Sequence, residues 1–402
     1  MNTWTIRFVL LALWIAPMGV AAAEPSFELQ YRLDLTQAPE PARVSLSVEQ
    51  DSAALRSISF DADNPAFLDF ESDSGLERDG DRFVWNVPAR GGKLTWRAPI
   101  THVRSGDAID AKLGKRWALF RGEDAFMSVS SRVAKGAHST ASMEVELPDN
   151  WSFVAPLKNE NGGYVIDDPR RRFDRPTGWM IAGEIGVRID RIAGVRASVA
   201  APKGQSIRRQ DILALLNWTL PDLVRLLPSY PAEVLIVSAE DPFWRGGLSG
   251  PASLYLHAQR PLISENGTST LVHELFHVGF RRSGGELDDW IVEGLAEYYS
   301  VALLRQSGTM TASRYSKTMR SLERWAKKAD GLRGAKSKGA TTAKAVLLFA
   351  ALDAELRRES EASLDDVVRR LAGPVEPVSF DELKKVTAQL LGAPSEVLAD
   401  VE

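Results

Sequence analysis

The chain has 402 residues, 44% hydrophobic and 25% charged, enough apolar material for the cores of two or three domains. A net charge of −4 gives no overall basic footprint, so nucleic acid is not an expected partner. Cysteine is absent, which excludes disulfides, thiolate catalysis and thiolate-held zinc; any metal must rest on Asp, Glu and the five histidines.

The opening, "MNTWTIRFVLLALWIAPMGVAAAEPS", places Arg7 before an apolar stretch from Phe8 to Val20, then runs into Ala21, Ala22 and Ala23. That order reads as a secretory signal peptide over residues 1–23, cleaved near Ala23, for a periplasmic or secreted protein. No later stretch approaches 18 continuous apolar residues, so no membrane span is expected. Residues 24–202 read as an N-terminal β-sandwich-like domain. "RVSLSVEQ" sets Val44, Leu46 and Val48 on one face and Ser45 and Ser47 on the other, and "RFVWNVP", "KLTWRAP", "SMEVELP" and "EIGVRIDRI" follow between turn-rich segments. After "APKGQ" the period changes. Residues 206–227 repeat at three and four, which predicts a helix kinked or divided at Pro221. "AEVLIVSA" (232–239) and "ASLYLHA" (252–258) read as short strands, and helices dominate from Thr268 onward. Ser363 with Asp366, and Ser379 with Glu382, are capping-box starts. Residues 203–402 are therefore expected to be a mostly helical domain with a small sheet, giving a multidomain α+β chain overall.

The chemistry concentrates at "LVHELFHVGF", residues 271–280. On a helix, His273 and His277 share one face about a turn apart, and Glu274 points beside them. This is the HExxH arrangement, in which two imidazoles hold one ion and the glutamate takes a proton from water. Leu271, Val272, Leu275, Phe276 and Val278 make the helix apolar on its other sides, so it should be buried, where unligated histidines are costly. A chance pentapeptide in a core helix is the alternative. The later segment "DDWIVEGLAEYYS" weighs against chance, because its Glu293 supplies the third ligand of a His-His-Glu zinc site. Glu297, one turn on, is placed either to accept a hydrogen bond from a ligand histidine or to be a solvated helix acid.

HExxH followed by W-x-x-E-G-x-A-x-Y-Y resembles the gluzincin metallopeptidases, closest to the glycyl aminopeptidase family and more distantly the aminopeptidase N family. The resemblance implies a thermolysin-like catalytic domain with one Zn²⁺ on His273, His277 and Glu293, and Glu274 as general base toward a peptide or protein substrate. "VELPDNWSFVAPL" is similar to the lead β-domain of the glycyl aminopeptidase family, and "WRGGLSGPASLYLHA" to the edge strand that lies over its substrate. The sequence also departs from these families. Their oxyanion tyrosine would fall at Thr342 or at Lys336, depending on the alignment, and neither is tyrosine. Losing one such donor lowers rates by about 100- to 1,000-fold unless another group substitutes, for which Tyr298, Tyr299, Tyr315 and His257 are candidates. The exopeptidase motif Gly-x-Met-Glu-Asn is also absent, so endo- and aminopeptidase cleavage both stay open.

Between Arg314 and Lys338, nine Lys or Arg face only Glu323 and Asp330. This basic stretch reads either as a solvated surface or as a contact for an anionic partner. The expected function is that of an exported zinc metallopeptidase. The alternative is a catalytically silent zinc-binding relative that binds a peptide or protein partner, and the same site would also serve a non-peptide amide or ester.

Overall fold

The structure, a computed structural model, describes residues 26–401 except 167, 169, 170, 335, 374, 375 and 400. The signal-peptide reading of residues 1–23 lies outside these residues.

Strand Ser26–Asp34 alternates buried Phe27, Leu29, Tyr31 and Leu33 with outward polar side chains. It pairs antiparallel with Ala42–Glu49 and parallel with His138–Glu146 inside a seven-stranded sheet. Val44, Leu46 and Val48 point into the core, as their spacing predicts. Among the described residues, a four-stranded and a five-stranded sheet complete this first part. Its core also holds Phe60, Trp85, Phe120 and Phe126.

A further five-stranded sheet carries the site. Its spatial order is Ile185–Ile192, Val195–Pro202, Glu233–Val237, Ser253–Leu256 and Gly247–Gly250. Strands on both sides of residue 203 are thus paired in one sheet, Val195–Pro202 running parallel to Glu233–Val237. A parallel pair needs a crossover, and helix Arg209–Leu226 provides it. The helix runs unbroken through Pro221 and buries Ile212, Leu216, Leu220 and Leu223, so the expected division at Pro221 does not occur. The strand expected at 252–258 is present as Ser253–Leu256, and a further strand before it completes a hairpin. Gly247–Gly250 pairs antiparallel with Ser253–Leu256 and forms the sheet's last strand. The turn between them places Ala252 at φ 47°, and the two glycines bounding the outer strand hid it from a reading by alternation.

Helix Thr270–Phe280 packs on this sheet, Asp289–Gln306 packs against that helix, and Ala340–Glu359 lies against Asp289–Gln306. Phe276 stacks between Phe280 and Tyr299 with centroids 5.2 and 5.4 Å away. The starts of the two helices lie together, with the Ser337 N–H donating to Asp289 Oδ2 at 2.7 Å. Trp290 stacks on Phe349 at 5.9 Å, and a Cβ on Gly294 would stand 2.5 Å from the Ala345 Cβ. Only glycine beside Glu293 permits that approach. Phe349 is fully buried in this contact, so Phe349→Ala is expected to destabilise the protein by about 3–5 kcal/mol. Urea unfolding checks this, and a midpoint unchanged from wild type would show that the contact contributes little. Downstream, Ser363 and Asp366 form the reciprocal capping box, and Ser379 accepts from the Glu382 N–H at 3.2 Å.

Candidate active site

The two site helices are positioned by their ends. Ser269 caps the first by accepting from the Val272 N–H at 3.3 Å, and the helix closes at Arg281 in the left-handed conformation with φ 63°. Its inward face then presents His273 and His277, whose Nε2 atoms lie 3.1 Å apart. From the second helix, the Glu293 carboxylate stands 3.3 Å from His273 Nε2 and 3.4 Å from His277 Nε2. These three residues are the group among the described residues that could hold a metal ion. Zinc bonds of ~2.0–2.1 Å at tetrahedral angles set neighbouring ligand atoms roughly 3.3 Å apart. The donor set and its spacing therefore fit Zn²⁺. Glu297 meets the other face of His273, 3.2 Å from Nδ1, and is itself held by the Ser300 hydroxyl at 3.3 Å. That contact fixes the ring so that Nε2 faces the other donors.

The electrostatics point the same way. Burial lowers the His273 pKa, but the Glu293 and Glu297 carboxylates outweigh it and hold the imidazole at about 10. Burial, with the charge on His273 adding to it, pushes His277 down to about 4. Burial raises Glu293, and the two histidines more than offset this, leaving it below its ordinary value. The pocket thus concentrates carboxylates around a positive charge, an environment a divalent cation satisfies.

Glu274 is only 8% exposed, and burial raises its carboxyl above the ordinary range. Ser249 of the edge strand, close beside it, partly offsets that rise. The strand presses so closely that a Cβ on Gly247 would stand 2.8 Å from Glu274 Cγ and 2.7 Å from Thr270 Cγ2. Above these groups opens a cavity of about 490 Å³, a usual size for a ligand site. His273, Glu274, Glu293 and Glu297 line it, together with Trp244, Gly246 and Gly247 and with Leu322, Trp325, Lys338 and Thr342.

Comparison with solved structures identifies the architecture. An aminopeptidase N family protein from Idiomarina loihiensis superposes with a TM-score of 0.64 and 15% identity, covering 85% of this chain and 69% of that one. A mutant M1 zinc metallopeptidase from Deinococcus radiodurans, bound to a Tyr-Ser-Ala substrate, superposes at 0.57 with 16% identity over 93% of this chain and 91% of its own. Legionella pneumophila aminopeptidase A, in complex with aspartic acid, gives 0.56 and 13% over 92% and 48%. The fold is that of the M1 zinc metallopeptidases. No protein-family pattern matches the chain. Part of it also matches one component of the ATP-dependent helicase/deoxyribonuclease of two Streptococcus equi subsp. zooepidemicus strains. The identities are 30% and 29% over 184 residues, 45% of this chain, and the chain spans about 15% of the length of these curated relatives.

The M1 fold brings His273, His277 and Glu293 together and sets Glu274 beside them. It does not bring the four expected oxyanion groups to the cavity wall. The Tyr299 hydroxyl donates to Asp365 at 2.7 Å, and Tyr298 reaches toward Asp353 at 3.5 Å. Tyr315 packs against the helical core, and His257 is buried with Nε2 3.4 Å from Asp241. Sequence reasoning did not single out Ser249 or Arg260, and it met Lys338 as the end of a basic stretch and in one alignment of the oxyanion segment. Each reaches the site from a loop or strand whose placement depends on distant pairing, and only the fold locates them.

Proposed function

We propose that the protein is an exported zinc-dependent metallopeptidase that hydrolyses peptide bonds, with one Zn²⁺ on His273, His277 and Glu293 and with Glu274 as general base. The observation that carries this reading is the convergence of three donor atoms 3.1–3.4 Å apart beside a buried carboxyl that is not one of them. Zinc bound there supplies a Lewis acid that polarises the scissile carbonyl and acidifies water. Glu274 accepts the proton of the attacking water on its carboxylate and delivers it to the leaving amine nitrogen. Burial favours the protonated intermediate form of that carboxyl, while Ser249 beside it favours the ionised form that accepts the proton. Gly247–Gly250, last in its sheet and flanking the cavity at Gly247, offers backbone groups along which an extended peptide can pair. The Deinococcus structure with its Tyr-Ser-Ala substrate supports peptide as the substrate class.

The test is metal-dependent cleavage of a mixed peptide library, read by mass spectrometry. Chelation is expected to abolish the cuts, and one equivalent of Zn²⁺ per chain to restore them. A preparation with one zinc per chain and no cuts would instead make the protein the silent, peptide-binding relative.

A further inference from the structure

We propose that the cleft takes an acidic internal segment of a peptide; this rests on the peptidase reading for the chemistry, though not for the binding. Among the described residues, the carboxylates lining the cavity are Glu274, Glu293 and Glu297. Glu293 and Glu297 are engaged with the histidines, and Glu274 is buried. The remaining charges on the wall are Arg245, Arg260 and Lys338. Arg245 is already paired with Asp241. Arg260 and Lys338 are exposed and have no carboxylate within ion-pair distance among the described residues.

Arg260 is also aimed. Its Nε donates to Thr270 Oγ1 at 3.1 Å, and Thr270 opens the helix that carries Glu274 one turn later. The guanidinium is therefore tied to Thr270, which stands about a helical turn (~6 Å) from Glu274 on the same helix. Lys338 lines the same cavity with Trp325, which is 51% exposed. Helix Ala312–Ala326 continues the positive charge with Arg314, Lys317, Arg320 and Arg324.

Two consequences follow from charge alone. A substrate carboxylate gains two partners that nothing else in the cleft neutralises. A free N-terminal ammonium finds cations and no carboxylate that is both exposed and unengaged, so the chain enters with its terminus elsewhere and is cut internally.

Binding to Glu274→Gln protein separates this from the peptidase reading. A labelled, N-acetylated peptide containing Asp and Glu, and its Asn/Gln counterpart, are titrated by fluorescence anisotropy at low and high salt. The acidic peptide is expected to bind about fivefold to tenfold tighter at low salt, with the gap closing at high salt. Arg260→Gln with Lys338→Gln should remove most of the gap. Lys338→Glu should shift preference toward a Lys-containing peptide, a gain that misfolding cannot produce. Equal binding of the two peptides, or tighter binding of the free-amine form, overturns the inference. Wild-type cleavage of the same peptides is read in parallel. Cuts without acidic preference remove the inference and leave the peptidase, whereas acidic preference without cuts leaves the inference and removes the peptidase. Neither binding nor cutting removes both.

Discussion

Glu274→Gln is expected to keep one zinc per chain and lower kcat by about 100- to 10,000-fold, the range general acid–base groups contribute. The substitution changes one atom type and no volume, which matters because the side chain is wedged beneath Gly247 with no slack. None of the three converging donor atoms belongs to residue 274, so metal content should not move. What disappears is a group able to hold a proton between the attack of water and the departure of the amine. Elemental analysis for zinc, together with initial rates on a peptide that the wild type cleaves, reads both halves. Turnover at the wild-type rate would mean that another group carries the proton.

Glu293→Ala should weaken zinc binding by more than Glu297→Ala does, and competition with a chelator will rank them. Glu297 acts through His273 by fixing the ring from its Nδ1 side. Losing such a partner reduces metal affinity about 10- to 100-fold. Glu293 contributes a donor atom 3.3–3.4 Å from both imidazole Nε2 atoms, and its loss also removes the charge that balances the cation. The helix should survive, since Glu293 is 30% exposed at its side chain and alanine favours helix. Equal affinity in Glu293→Ala and wild type would take Glu293 out of the ligand set.

The metal-holding geometry was legible because it is local. His273, Glu274 and His277 sit within one helical turn and a step, so periodicity alone places them together. Glu293 was legible because two histidines on one helix call for a third ligand, and the W-x-x-E-G segment that supplies it resembles the gluzincin one. The rest of the cleft is long-range. Ser249 reaches Glu274 only because Gly247–Gly250 folds back as a hairpin on the sheet edge, and Lys338 reaches the cavity on the loop before Ala340–Glu359. The parallel pairing of Ser26–Asp34 with His138–Glu146 joins segments more than a hundred residues apart, and no local pattern announces it. The four oxyanion candidates illustrate the same limit. Their residue types suited the task, but packing had committed the Tyr299 and Tyr298 hydroxyls to Asp365 and Asp353 and had buried His257.

The segment that bears Trp244 and Gly246 is fastened from outside its own sheet. Ile109 of the first β-region donates to Pro242 O at 3.0 Å and accepts from the Trp244 N–H at 2.8 Å, and the Arg104 guanidinium lies 4.5 Å over the Trp244 ring. One jaw of the cleft is therefore hinged on the opposite half of the molecule. The first β-region serves as a splint as well as a neighbour, and the width of the cleft's mouth is set by how firmly two halves of one chain grip each other.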